Sequence, residues 1–235
     1  MQSKFYSPGD QRAENVHRLF ATIARRYDLL NDLMSVGLHR HWKRRLVKMA
    51  GQPARVLDLC CGTGDLALMF QARVVGVDFT EEMLRVAQTR SREIVWVRAD
   101  ALRLPFPDDS FDVVSVGYGL RNLADIDAGL REILRVLRPG GKFLSLDFGK
   151  PEMPALRRAY FGFLRTAVPA LARLVGSDPE GYTYILASLE DYPAQRGVRD
   201  LMRAAGFTDC GFVEFVSGAM AINYGTKPAS PEIRR

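Results

Sequence analysis

From residue 55 onward the chain repeats one instruction, a short β-branched run followed by a stretch long enough for a helix. The runs RVLDL (55–59), RVVGVD (73–78), IVWVRAD (94–100), FDVVSVG (111–117) and KFLSLDF (142–148) have the character of strands covered on both faces. Segments of helical length lie between them at 65–72, 80–91 and 126–138, the last closed by Arg-Pro-Gly-Gly at 138–141. Alternation of this kind predicts a parallel, doubly wound α/β sheet with right-handed crossovers.

The flanks extend this plan. In residues 11–50, Leu19, Phe20, Ile23, Tyr27, Leu30, Leu33 and Met34 recur at helical spacing; Gly37 interrupts, and a second helix follows through Trp42, Leu46 and Met49. After Pro151 comes the long apolar and basic segment MPALRRAYFGFLRTAVPALARLVG, then a helix near 195–205. The closing runs CGFVEFVSG and AMAINYGTKP, parted at Ser217-Gly218, read as a terminal antiparallel hairpin that brings the sheet to seven strands. The expected organisation is an N-terminal helical lid (1–50), a cofactor-binding core (51–150) and an inserted helical lid or substrate segment (151–194). A C-terminal helix and hairpin (195–228) complete the same domain, and 229–235 form a tail.

Composition narrows the function. With 47% hydrophobic and 26% charged residues, the chain is neither disordered nor fibrous. It lacks the roughly 18 consecutive apolar residues of a spanning helix, and MQSKFYSPGDQRAENV has no apolar core for a secretory signal. A cytoplasmic protein is expected. A formal charge of +6 favours polyanionic surfaces, with nucleic acid and anionic lipid both open. Cys60, Cys61 and Cys210 form neither a disulfide framework nor a metal motif, and His39 and His41 sit on different helix faces. No metal is expected.

The most informative stretch is VLDLCCGTGDLA (56–67), a Gly-rich turn directly after the first buried strand. Gly62-Thr63-Gly64-Asp65-Leu66-Ala67 satisfies G-x-G-x-x-G/A, so a dinucleotide oxidoreductase is one reading. Charge opposes it. Asp58 and Asp65 would stand beside an anionic pyrophosphate, whereas the ammonium and sulfonium of S-adenosylmethionine suit such neighbours. Ligands of open α/β sheets bind beyond the carboxyl ends of the strands, where Asp78 and Asp100 also lie. Asp78 is placed to accept both ribose hydroxyls. Asp100 is placed to take the adenine amine, with the backbone of Ala101 serving the ring.

These residues resemble a class I S-adenosylmethionine-dependent methyltransferase with a Rossmann-like fold, and more closely the ubiquinone/menaquinone biosynthesis C-methyltransferase family. Its first signature, Y-D-x-x-N-x-x-x-S-x-x-x-H-x-x-W, is met by Tyr27, Asp28, Asn31, Ser35, His39 and Trp42. ADALRLPFPDDSFDVVSVGYGLRN (99–122) and RVLRPGGKFLSLDFGKP (135–151) resemble two further family stretches, and the likeness runs from about residue 20 to 228. Asp147 and Gly149 stand where the family ends its third motif in Glu-x-Ser, and Gly117 stands where a serine often contacts the cofactor.

The resemblance implies methylation of a quinol ring carbon ortho to a phenolic oxygen, with S-adenosylmethionine as donor. Demethylmenaquinol is the leading substrate, and 2-methoxy-6-polyprenyl-1,4-benzoquinol is the alternative. An RNA methyltransferase is disfavoured because GYGLRN replaces the Asn/Asp-Pro-Pro-aromatic pattern after the fourth strand. Expected cofactor residues are Asp58, Gly62, Thr63, Gly64, Asp78, Asp100, Ala101 and Gly117. Arg121 is the expected phenolate partner, with Asn122, Tyr118 and Asp147 as ring contacts or proton relay. Residues 152–176, where Leu156, Tyr160, Phe161, Phe163, Leu164, Val168, Leu171, Leu174 and Val175 alternate with four arginines, are expected to meet an anionic membrane at the inner face of the cell membrane. A homodimer interface is the competing reading of that segment.

Overall fold

The computed structural model describes residues 35, 37–174, 186 and 188–229, with side chains at 167–169 and 171–174 outside that description. Tyr27, Asp28 and Asn31 of the first signature therefore lie outside it, as do Val175 and the side chains of Val168, Leu171, Arg173 and Leu174.

In chain order the described residues form α1 (Leu38–Ala50), β1 (Arg55–Leu59), β2 (Arg73–Asp78), α2 (Glu81–Arg90), β3 (Val95–Arg98) and β4 (Phe111–Gly117). There follow α3 (Ile126–Val136), β5 (Leu137–Phe148), α4 (Pro154–Leu174), α5 (Ala194–Ala204), β6 (Thr208–Phe215) and β7 (Met220–Thr226). The strands make one seven-stranded sheet in the order β3-β2-β1-β4-β5-β7-β6. The first five are parallel, while β7 runs antiparallel to both β5 and β6. This is the expected mostly parallel sheet with an antiparallel end.

Strand periodicity divides the core in two. Leu57, Leu59, Val114, Val116 and Phe143 pack with Leu130 and Ile133 of α3 and Val198 and Met202 of α5. Val56, Val74, Val113 and Leu144 pack with Trp42 and Leu46 of α1 on the other face. Each such buried side chain contributes about 1.5–3 kcal/mol. Asp58 and Ser115, two residues along from Val56 and Val113 and paired in register between β1 and β4, interrupt the apolar pattern on the α1 face.

Three elements differ from the sequence expectation. The stretch 65–72 contains only a three-residue 3-10 helix, Ala67–Met69, with Phe70 already extended. Leu66, Ala67 and Phe70 are buried against the α1 side, so a tight turn satisfies the same apolar spacing as a helix while returning the chain to β2 at once. Helix α3 stops at Val136, two residues before the expected end, and Arg-Pro-Gly-Gly lies within β5, which begins at Leu137. Gly140 donates to the carbonyl of Lys227 and Lys227 to that of Gly141, which holds this stretch in the sheet. Strand β3 stops at Arg98, leaving Asp100 beyond it.

Helix α4 packs part of its apolar side on the core. Leu164 is buried, and Tyr160 and Phe161 pack beside it against the α3/α5 cluster; Phe163 stays exposed. No helix among the described residues is long and apolar enough to cross a membrane.

Candidate active site

The turn after β1 lies at the carboxyl ends of the parallel strands. Gly62 and Gly64 have φ of 55° and 81°, a region that favours glycine. Their surroundings differ. A Cβ on Gly62 would meet nothing within 4 Å, whereas one on Gly64 would strike the indole of Trp96, which also covers Gly76. Gly62 thus keeps the cleft open; Gly64 makes room for a protein side chain.

Asp78 anchors the turn. Its Oδ2 accepts from the N–H of Gly62 at 2.8 Å and its Oδ1 from that of Thr80 at 2.8 Å. Burial raises its carboxyl above the usual range, and the two amides oppose that rise. Thr63 is buried, and both its carbonyl and Oγ1 accept from Arg90 at 3.2 Å. Ala101 is buried, whereas Asp100 is exposed and its Oδ1 accepts from the N–H of Leu102 at 2.9 Å.

Asp58 is fully buried in β1. Ser115 donates to its Oδ1 at 2.7 Å, and its Oδ2 is buried without a hydrogen-bond partner. Burial pushes the carboxyl up to about 7, against the pull of Ser115 and the charge of Lys43.

Asp65 corrects the expectation that its charge faces the ligand. Lys43 of α1 bonds its Oδ2 at 2.6 Å, and Arg90 of α2 approaches Oδ1 at 3.5 Å. Burial pushes this carboxyl up, but Lys43 and Arg90 outweigh it and hold it below the usual range. The case against a pyrophosphate at this turn thus loses one of its two acids.

The expected substrate-side residues come together. Arg121 is buried in the turn after β4, and its Nη1 donates to Asp147 Oδ1 at 2.6 Å and to the carbonyl of Tyr118 at 2.7 Å. The Asn122 amide donates to the same carbonyl at 3.4 Å, and Asp147 Oδ2 accepts from the Arg121 backbone N–H at 3.3 Å. The Arg121 guanidinium lies 5.0 Å from the Phe148 ring centre, and Tyr118 is tilted against the same ring at 5.9 Å. The charge of Arg121 is therefore matched within the protein by Asp147. Gly117 has room for no more than a small shift, since a Cβ there would lie 3.3 Å from Leu66.

Sequence reasoning missed Lys43, Arg90, Ser115 and Trp96. Lys43 had a legible signal: it continues the every-fourth-residue stripe of Tyr27, Asn31, Ser35 and His39. It is buried, ties α1 to Asp65, and lies 5.7 Å from the Tyr118 ring centre. Nothing local marks the other three. A hollow of about 580 Å³ near Arg73, Ile94 and Val95 opens at the amino ends of the strands and holds none of these residues.

Comparison with known proteins agrees with this architecture. The ubiE/COQ5 methyltransferase family profile matches residues 8–227. The ubiquinone/menaquinone biosynthesis C-methyltransferase UbiE of Hahella chejuensis is 40% identical over 234 residues, covering 94% of each chain. That of Rubrivivax gelatinosus is 42% identical over 226 residues, covering 94% of this chain and 90% of the relative. Among solved structures, a Thermotoga maritima S-adenosylmethionine-dependent methyltransferase, described as a possible histamine N-methyltransferase, superposes with a TM-score of 0.68. It is 19% identical, and the match covers 90% of this chain and 99% of that one. The chain belongs to the ubiE/COQ5 methyltransferase family and is an S-adenosylmethionine-dependent C-methyltransferase of quinone biosynthesis.

Proposed function

We propose that the protein methylates demethylmenaquinol to menaquinol, acting on a substrate whose polyprenyl tail remains in the membrane. The methoxybenzoquinol of ubiquinone biosynthesis is the alternative, because the relatives' names span both pathways. The observation that carries a quinol substrate is the buried Arg121–Asp147 pair beside Tyr118.

The cleft suits a cationic cofactor. Asp58 Oδ2 is a buried acceptor without a partner, and Gly62 leaves open space before the turn. The Asp78 carboxylate, already held by the amides of Gly62 and Thr80, would turn toward the ribose hydroxyls. Asp58, Gly62, Thr63, Gly64, Asp78, Asp100, Ala101 and Gly117 would hold S-adenosylmethionine, which supplies an electrophilic methyl when bound. Asp58 answers the cofactor's positive charge, and Asp78 orients the ribose.

On the substrate side, Asp147 holds Arg121 in place and Arg121 fixes the turn from Tyr118 to Asn122. A guanidinium has five N–H donors, so Arg121 serves both Asp147 and a developing phenolate. Stabilisation comes from a charge arrangement already formed before reaction, with no reorganisation at the moment of methyl transfer. The quinol hydroxyl gives up its proton to solvent as the ring carbon takes the methyl, and loss of the ring C–H proton to solvent then restores the aromatic ring while the phenolic oxygen regains a proton.

The test is transfer of labelled methyl from S-adenosylmethionine to short-tailed demethylmenaquinol and, separately, to short-tailed methoxybenzoquinol, both kept reduced. Faster labelling of the naphthoquinol is expected. Labelling of the benzoquinol alone would overturn the choice of substrate, and labelling of neither would overturn the quinol reading.

A further inference from the structure

The turn from β6 to β7 places Val216, Ser217 and Gly218 at φ of 49°, 52° and 89°. Glycine enters this region freely, but a β-branched residue there is a genuine outlier. Val216 is also 59% exposed, so burial does not offset the strain. An apolar β-branched side chain is thus held at an exposed tip by backbone that disfavours it, the situation in which a functional demand outweighs local preference.

The tip belongs to the rim of the active site. Phe148, Met220 and Phe215 are in register across β5, β7 and β6, so the turn lies at the end of the sheet where β5 delivers Asp147. The carbonyl of Ala219 accepts from the N–H of Gly149 at 2.9 Å and from the Tyr160 hydroxyl at 3.3 Å. Pro151 Cα would lie 3.3 Å from a Cβ on Gly218, and Met153, two residues on, is 66% exposed. On the other side, Phe215 lies 6.2 Å from Trp42 of α1, one turn beyond the exposed Leu38. Leu38, Val216 and Met153 are thus exposed apolar side chains on the elements that meet at this end of the sheet.

The charge along this edge is net positive. Arg157 and Arg158 of α4 donate to the carbonyls of Pro151 and Pro154 and form no ion pair among the described residues. Of the acids near the turn, Glu152 is paired with Arg196, whereas Glu214, bonded to the neutral Gln195 amide, keeps its negative charge, so the two arginines are in excess. An apolar tip flanked by long cations matches the boundary between acyl chains and anionic headgroups.

We propose that the β6–β7 turn is the point at which the protein docks on an anionic lipid bilayer, Val216 entering the acyl boundary while Arg157 and Arg158 meet headgroups. This deepens the reading above and rests on it for its motive, since docking here sets the active-site mouth against the lipid that holds a prenyl tail. It also relocates the lipid contact from the body of α4, whose Leu164 is buried and whose Tyr160 and Phe161 pack partly buried against the core.

Cosedimentation with phosphatidylcholine vesicles, with and without phosphatidylglycerol, tests the proposal. Wild type should bind the anionic vesicles preferentially. Val216→Asn should bind them roughly tenfold more weakly, from loss of apolar insertion. Asparagine enters the left-handed region readily, so this variant should keep or raise the thermal midpoint. Val95→Asn, at an equally exposed position on the edge strand β3, should bind like wild type. Failure of wild type to bind, or equal binding by Val216→Asn, would overturn the proposal. So would self-association of wild type that Val216→Asn abolishes, which would assign the tip to a second copy. Methyl transfer to a soluble short-tailed quinol should be unchanged in Val216→Asn. Vesicle binding that depends on Val216 in a protein that methylates no quinol would uphold docking while removing the substrate reading.

Discussion

Asp58 and Asp147 are both buried aspartates at the carboxyl-end half of the sheet, on β1 and β5. Their surroundings are opposite. Asp58 has a serine hydroxyl on one oxygen, nothing on the other, and a carboxyl lifted to about 7. Asp147 has a guanidinium at 2.6 Å and two backbone N–H groups. Among the described residues, the protein bonds no cation to the first carboxyl and pairs the second with one of its own. A cofactor carrying positive charge suits the first, and a substrate that becomes an anion only during reaction suits the second.

Removing the internal cation should have the largest effect. Arg121→Met strands Asp147 in the core, and breaking a buried pair in this way costs about 3–5 kcal/mol. The thermal midpoint of Arg121→Met should fall sharply and recover mostly in Arg121→Met/Asp147→Leu, with methyl transfer lost in both. A single variant as stable as wild type would show that the pair does not fix the Tyr118–Asn122 turn.

The opposite prediction holds at Asp58. Its folded carboxyl sits near 7 against an ordinary 3.8, so between those values the native state keeps a proton that the unfolded chain has released. This contribution to stability is full below about pH 4 and is lost as pH rises through about 7, an effect of about 4 kcal/mol. Denaturant titrations of the cofactor-free protein should show that slope, and Asp58→Asn should flatten it. A bound ammonium favours the carboxylate, so affinity for S-adenosylhomocysteine should strengthen as pH rises through about 7 in wild type. Calorimetry showing the same pH dependence in Asp58→Asn would remove Asp58 from the cofactor site.

A smaller effect is expected at Asp78, which the protein satisfies in part through Gly62 and Thr80. Asp78→Ala should weaken cofactor binding by about 1.5–3 kcal/mol, the loss of two charge-assisted hydrogen bonds. Unchanged affinity in the folded variant would leave Asp78 as an anchor for the Gly62 turn alone.

Much of the sheet was legible because a strand's apolar run is local information: β1, β2 and β4 lie where their β-branched residues stand, and β6 and β7 lie on either side of Ser217-Gly218. The 65–72 stretch was misread because a helix and a 3-10 turn bury Leu66, Ala67 and Phe70 alike. At the site, Arg121, Asn122, Tyr118 and Asp147 were legible as a group through their motifs. The neutralisation of Asp65 was not, since Lys43 is 22 residues away.

By itself, the sequence determined the alternation of strands and helices, the glycine turn after β1 and the acids at the strand ends, all consequences of short-range sterics and periodicity. Only the tertiary structure decided what charge each acid feels. Ser115 reaches Asp58 across 57 residues and Arg121 reaches Asp147 across 26, and these contacts exist only once β1, β4 and β5 lie side by side. Carboxylates spelled with the same letter thus become a buried acid lifted to about 7, an anchor for the glycine turn and half of an ion pair, because desolvation and neighbouring charge are properties of the packed sheet.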